Sequence, residues 1–167
     1  MRAFEEYVRL YAPDLGRFCY KLCGDRYEAD DLFQETWTKA IKNYRRYDRS
    51  KSFKNWLFAI CVNTFRDSRS LKEYSAKAEF TSSEEKDRYL NAVPAAEQDR
   101  DAYLDLYDAI RSLPKKHRIV ITLYYFKEFS QKEIAEILSI PEGTVASRLN
   151  TAKQQLKRRL FDDQHHR

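Results

Sequence analysis

A short segment from Tyr44 to Trp56 concentrates side chains that suit nucleic acid. Its 13 residues include five cations and four aromatic rings. Cations attract the phosphates of any nucleic acid, whereas aromatic rings stack on bases that have left the duplex. The segment therefore indicates contact with single-stranded nucleic acid, with Tyr47 and the loop cations as the contacting groups. The alternative is that Tyr44, Phe53 and Trp56 are core anchors beside a solvated loop, and for Trp56 the core is the favoured interpretation.

A second segment, residues 130–149, has the pattern of a helix-turn-helix. Ser130 and Glu133 form a capping box for the first helix, and Pro141 suits the start of the second. The second helix has an apolar stripe, so its opposite face would enter a major groove. That face carries Ser147, Asn150, Thr151 and Gln154, and it is followed by the cations Lys153, Lys157, Arg158 and Arg159. The alternative is an αα-hairpin that touches no nucleic acid. The agreement of cap, turn and basic helix favours DNA binding.

The elements that must position these segments are predicted to be helices throughout. The 167 residues include only 3 Gly and 4 Pro, too few breakers for an all-β sandwich or barrel. Apolar residues at helical spacing predict a first helix that Pro13 interrupts. A second helix is predicted after a capping box of Asp25 and Glu28, and a third after Ser52 as N-cap. The fold class is therefore all-α.

Charge divides the chain into blocks. Residues 1–77 carry a net charge of +5, residues 78–109 of −6 and residues 110–167 of +6. The acidic block lacks helical apolar periodicity, which is typical of a linker. We therefore predict one small helical domain over residues 1–75, a flexible acidic linker over 76–101 and a second helical domain over 102–167.

Several function classes have no support in the sequence. Cys19 and Cys23 are four residues apart, but no further metal ligands lie near them in sequence, so we expect buried structural thiols and no metal site. We find no phosphate-binding glycine loop and no nucleophile arrangement, so neither a cofactor nor an enzymatic activity is predicted. No apolar run approaches the roughly 18 residues of a membrane span, and the N-terminus lacks a secretory signal. The expected location is the cytoplasm, without membrane insertion.

Three motifs, in order, resemble those of bacterial alternative sigma factors of the extracytoplasmic-function group. Residues 29–37 resemble the family's second-region helix, which docks on the clamp of the polymerase β′ subunit. Residues 53–63 resemble the segment that opens and reads the −10 promoter element. Residues 143–149 resemble the helix that recognises the −35 element.

The resemblance implies a promoter-specificity subunit with a region 2-like helical bundle and a region 4-like helix-turn-helix. The implied partners are core RNA polymerase through its β′ clamp and β subunit, promoter DNA, and an anti-sigma factor that controls a stress response. Two other functions remain open: a stand-alone helix-turn-helix regulator that binds duplex DNA, and a purely helical adaptor. The aromatic-rich loop and the clamp-type helix favour the sigma factor.

The resemblance also implies three sets of site residues. The −10 set, which includes four of the five cations of the Tyr44–Trp56 segment, is Arg46, Tyr47, Arg49, Lys51, Lys54, Asn63 and Arg66. The −35 set is Arg118, Lys132, Thr144, Ser147, Arg148, Asn150, Thr151 and Lys153. The polymerase set is Asp31, Gln34 and Glu35. The chain departs from the family at Ala146, where Lys or Arg is usual, and at Thr151, where Arg is frequent, so an altered −35 preference is expected.

Overall fold

The computed structural model describes residues 2–68 and 100–165, and this part of the chain is helical. Its N-terminal half contains α1 (Arg2–Cys23), α2 (Arg26–Asn43), a 3₁₀ turn (Tyr44–Arg46) and α3 (Phe53–Asp67). Its C-terminal half contains α4 (Arg100–Arg111), α5 (Lys115–Ile121), a π-helical turn (Thr122–Phe126), α6 (Gln131–Leu138) and α7 (Glu142–His165). The all-α prediction is confirmed. The predicted linker lies outside the described residues except for residues 100 and 101, which begin α4, and the predicted domain boundaries stay a prediction.

Helix α1 corrects one expectation. Pro13 does not interrupt it, because the helix runs unbroken from Arg2 to Cys23 with the proline inside. A proline in a helix interior loses one hydrogen bond, at a cost of about 3 kcal/mol. The buried side chains of Phe4, Leu15 and Phe18 lie before and after the proline in the same core. Tertiary packing therefore outweighs the local penalty.

The helix starts follow the sequence with one exception. Ser52 accepts a hydrogen bond from the Asn55 amide at the start of α3. Ser130 and Glu133 form a complete capping box at α6, as predicted. At α2, Asp25 accepts a hydrogen bond from the Tyr27 amide, but the second half of the predicted box is wrong. Glu28 does not reach back to the cap, and its buried Oε1 has no hydrogen-bond partner among the described residues.

The two halves share one hydrophobic core. The largest fully buried side chains include Phe18, Phe58 and Phe65 in the first half, and Leu123 and Leu149 in the second. The rings of Phe58 on α3 and Phe129 before α6 join the halves, with centroids 5.4 Å apart. The helix-turn-helix is therefore packed directly against the N-terminal bundle, a contact that the sequence pattern does not predict.

Candidate nucleic-acid and polymerase interfaces

The loop predicted to bind single-stranded DNA is built around Tyr47. This residue is only 8% exposed, and its ring lies between Phe53 and Trp56 at centroid distances of 5.5 and 4.9 Å. Its hydroxyl donates a hydrogen bond to the backbone carbonyl of Lys51. Tyr47 therefore holds the loop in shape here, and its assignment to base contact stays a prediction. The half-buried Trp56 packs against the core.

The cations of this loop are exposed on an ordered turn. Asp48 accepts hydrogen bonds from the Ser50 amide (3.0 Å) and hydroxyl (2.7 Å), which lower the pKa of its carboxyl group. The carbonyl of Asp48 accepts from the Lys51 amide at 3.0 Å. The side chains presented to solvent by this turn and the 3₁₀ turn before it include Arg46, Arg49 and Lys51. A fixed row of cations suits a nucleic-acid backbone.

Helix α3 continues this surface but part of it faces the C-terminal half. Asn63 and Arg66 are exposed. Lys54 lies 5.1 Å from the centre of the Phe129 ring. Asn55 donates a hydrogen bond to Glu133 Oε2 at 3.3 Å.

An open cleft of ≈ 1020 Å³ separates the loop from α6. Arg46, Lys51 and Asn55 line one side of it, and Glu136 and Ile137 on α6 line the other. Of the −10 set, Lys54 contacts the C-terminal half, whereas Arg46 and Lys51 face α6 across the open cleft.

The −35 set lies mostly on α7, whose phase agrees with the sequence. Val145, Leu149 and Ala152 are buried against the core. The exposed members of the set are Ser147, Asn150, Thr151, Lys153 and, on α6, Lys132, whereas Thr144 and Arg148 are half-buried. The face of α7 that would enter a major groove is thus open to solvent. Its assignment to DNA contact stays a prediction.

Arg118 lies apart from that face. Its guanidinium donates to the backbone carbonyls of Leu22 (2.9 Å), Arg111 (2.6 Å) and Leu113 (3.2 Å). Leu22 belongs to α1, so Arg118 ties the C-terminal half to the N-terminal bundle. In this arrangement both Nη1 and Nη2 donate to the protein backbone, and a role for Arg118 at the −35 element requires the two halves to part.

The polymerase set lies on the exposed face of α2. Asp31, Gln34 and Glu35 are exposed, while Leu32, Thr36 and Ala40 on the other face are buried. Glu35 pairs with Lys39 at 3.3 Å.

Two large apolar side chains, Tyr27 (68% exposed) and Ile41 (47%), extend the same face of α2. Positions 27, 31, 34, 38 and 41 follow helical spacing, so this stripe could have been found from the sequence. Exposed apolar anchors beside polar groups are typical of protein interfaces.

Polar contacts also join the two halves. Lys127 Nζ lies 3.5 Å from Asp14 Oδ1, and the Lys127 side chain is only 9% exposed. Lys21 Nζ lies 3.9 Å from the centre of the Phe126 ring. Burial, together with the neighbouring cations Lys127 and Arg17, lowers the pKa of Lys21 to about 8. The Asp14 carboxylate offsets part of the repulsion among these cations. It therefore stabilises the contact region between the two halves, which we call the joint.

Glu28 is a buried carboxyl group beside this joint. Desolvation, together with the neighbouring Asp25 carboxylate, raises its pKa to about 7. The nearby cations, which oppose the shift, are Arg111, Arg118 and Lys115 of the C-terminal half. Glu28 therefore holds a proton in the native state at pH values where the unfolded chain has released it.

A raised native pKa makes stability fall as the pH rises. The contribution of Glu28 is full below its unfolded pKa of about 4.5 and is lost through pH 7. We expect urea unfolding to show a loss of about 1–2 kcal/mol between pH 5.5 and 8 from this group. Glu28→Gln should flatten the profile and be more stable than the parent at pH 8, while the exposed Glu6→Gln should leave it unchanged. Parallel profiles for the parent and Glu28→Gln would contradict the assignment.

The cysteines are buried, as expected. Cys19 Sγ lies 3.6 Å from Cys61 Sγ, so the close pair joins α1 and α3 rather than Cys19 and Cys23. The hydrogen bond with Cys61 and burial raise the pKa of Cys19, which keeps the thiol protonated and unreactive. Among residues 2–68 and 100–165, no group of His, Cys, Asp and Glu could hold a metal ion. No helix in this part of the chain is long and apolar enough to cross a membrane.

Family models match both halves of the chain. Residues 7–73 match the family model of sigma-70 region 2, and residues 103–156 match that of sigma-70 region 4. The chain is 33% identical to the ECF RNA polymerase sigma factor SigW of Bacillus subtilis, over 96% of this chain and 90% of that protein. It is also 33% identical to SigM of the same organism, over 92% of each chain.

Solved structures share the fold. The sigma factor RpoE from Bartonella quintana, in complex with the anti-sigma factor NepR, is 23% identical, with a TM-score of 0.73 over 96% of this chain and 98% of that one. CnrH, in complex with the cytosolic domain of CnrY, is 24% identical, with a TM-score of 0.69 over 97% and 90%. With two family models in order and a relative 33% identical over nearly its whole length, this chain belongs to the ECF group of RNA polymerase sigma factors, the subunits that give the polymerase its promoter specificity.

Proposed function

We propose that this sigma factor binds core polymerase through the exposed face of α2, reads the −10 element with the Tyr44–Trp56 loop and α3, and reads the −35 element with α7. The observation that best supports this proposal is the burial pattern of α7. Val145, Leu149 and Ala152 face the core while Ser147 and Asn150 face solvent, which suits a recognition helix. The chain itself contributes no catalytic group, and it acts in the cytoplasm with the polymerase.

The arrangement of the two halves adds a conformational step to this function. The −10 and −35 elements are centred about 25 base pairs apart, which is roughly 80 Å of duplex. Here α3 and α6 touch through Asn55 and Glu133, so the two reading surfaces cannot span that distance. The proposal is that this closed arrangement is the resting one, and that docking on polymerase separates the halves.

The closed arrangement also explains how a partner could hold the chain inactive. Both solved relatives described above are complexes, RpoE with the anti-sigma factor NepR and CnrH with CnrY. An anti-sigma factor of this chain would need only to stabilise the packed halves, because α3 then stays joined to α6 through Asn55 and Glu133.

Run-off transcription tests the proposed function. Core polymerase with the purified chain should initiate at promoters that core polymerase alone ignores, and sequencing of the bound templates should give paired −10 and −35 elements. The chain should also co-elute with core polymerase. Duplex binding without co-elution or initiation would instead identify a stand-alone regulator.

Asn150 should specify one base pair of the −35 element. Its exposed amide can pair with adenine in two hydrogen bonds, worth roughly 1–3 kcal/mol of discrimination. Asn150→Ala should therefore relax the preference at one −35 position in holoenzyme binding to a panel of single-base variants. Lys157→Ala should weaken all variants equally and lower the salt slope by about one, because a lysine on phosphate carries no sequence information. An equal loss for every variant with Asn150→Ala would show that this residue does not read a base.

A further inference from the structure

Two tyrosine rings lie beside the exposed face of α7. Lys153 Nζ lies 5.7 Å from the centre of the Tyr124 ring and 5.6 Å from the centre of the Tyr125 ring, within the roughly 6 Å at which a ring attracts a cation. Among the described residues, Lys153 is the only cation that contacts two rings. We call these two rings the tyrosine pair. Neither tyrosine belongs to the −35 set that the sequence predicts.

The tyrosine pair is anchored in the fold. Both residues belong to the π-helical turn, whose Thr122 and Leu123 are buried. Such turns are rare, and many of them lie at functional sites. The two rings pack edge to face, with centroids 5.0 Å apart and planes at 85°. Tyr124 packs against the core, whereas Tyr125 is 51% exposed, so the pair connects the core to the surface that carries Lys153.

The tyrosine pair orients Lys153 without neutralising its charge. Lys39 and Lys127 form ion pairs with the carboxylates of Glu35 and Asp14. Lys153 is exposed, and it forms no ion pair within residues 2–68 and 100–165. Because aromatic rings carry no net charge, the full positive charge of Lys153 stays available to a phosphate.

We propose that Tyr125 is a positioning residue of the −35 surface: together with Tyr124, it holds the Lys153 ammonium where this group contacts a backbone phosphate of the promoter duplex. Lys153 lies three residues beyond Asn150 on α7, so it adjoins the face that would enter the major groove. A lysine that moves freely loses rotamer freedom when it binds a phosphate. The rings impose that loss before DNA arrives, which strengthens binding. This role rests on the proposed function of α7 at the −35 element.

Binding of the holoenzyme, assembled from core polymerase and the full chain, to promoter DNA at several salt concentrations tests this role. Tyr125→Leu should bind about two- to fivefold more weakly than the parent, the loss expected for an exposed contact between a cation and a ring. Tyr125→Phe keeps the ring and should bind as the parent does. Phe161→Leu removes a similarly exposed ring (56%) that does not contact Lys153, and it should also bind as the parent does. All three variants should keep the helical circular dichroism of the parent.

A double variant shows whether Tyr125 acts through Lys153. Lys153→Gln alone should lower the salt slope by about one. Adding Tyr125→Leu to Lys153→Gln should cause no further loss of affinity, because the ring then has no cation to hold. A further two- to fivefold loss in the double variant would overturn the positioning role, as would unchanged or tighter binding by Tyr125→Leu. These outcomes leave the proposed function intact, whereas a parent holoenzyme that does not bind promoter DNA would overturn both.

Discussion

Replacing Asp14 with lysine is expected to separate the two halves of the free sigma factor. Asp14 is the anion that pairs with Lys127, whose side chain is 9% exposed, and Arg17, Lys21 and Lys54 add positive charge around it. Because the Asp14 side chain is itself 40% exposed, losing this pair costs less than the loss of a fully buried one. Opening relieves the cost without unfolding, so we expect about 1–2 kcal/mol, or roughly tenfold, in favour of the open state. Small-angle scattering should show a larger radius of gyration, and single-stranded −10 oligonucleotides should bind more tightly.

Two further variants make this result specific. Asp14→Lys combined with Lys127→Glu restores the ion pair with its charges exchanged, and it should return the chain to the compact form. Glu6→Lys makes the same change of charge at an exposed position of α1 and should stay compact. If Asp14→Lys has the scattering of the parent while its unfolding curve is intact, the ion pair does not hold the halves together.

Local features of this fold follow from the sequence because they depend on neighbouring residues. The capping box of Ser130 and Glu133 and the buried stripe of Val145, Leu149 and Ala152 need only positions three or four apart. Pro13 is the instructive error. Proline destabilises a helix locally, but the core contacts that hold α1 together involve residues distant in sequence. The residues around Pro13 therefore do not reveal the compensation. Glu28 fails as a cap partner because it is buried beside the opposite half.

The contact between the halves has no local signal. Arg118 reaches the carbonyl of Leu22 across 96 residues of sequence, and nothing near either residue marks it as a partner of the other. The same holds for Phe58 and Phe129. Sequence patterns therefore predict two candidate reading surfaces but not the contact between the halves that carry them. That joint decides whether Arg118 and Asn55 face DNA or protein, and so it controls how much of the proposed site the free chain can use.

The exposed face of α2 should carry the affinity for core polymerase. Gln34→Ala combined with Glu35→Lys removes one hydrogen-bonding group and reverses one charge between the exposed anchors Tyr27 and Ile41. The variant loses polar contacts at the centre of the interface and places a new positive charge against a basic partner surface. Together these changes cost about 3 kcal/mol of binding free energy. We therefore expect roughly 100-fold weaker competition for core polymerase, measured against the parent chain.

The matched controls separate docking from folding. None of these side chains is buried, whereas Leu32, Thr36 and Ala40 hold α2 to the core, so helical circular dichroism and the urea midpoint should be those of the parent. Lys42→Glu reverses a charge in the opposite sense near the C-terminal end of α2. It should compete normally, because the proposed contact with a basic partner surface is centred on residues 27–41. Unchanged competition by the Gln34→Ala, Glu35→Lys chain would place the polymerase contact on another face. Tyr27→Ala would then distinguish an apolar contact at the start of α2 from a contact that does not involve this helix. The Tyr27 ring is 68% exposed, so its loss leaves the core intact and removes only an interface anchor.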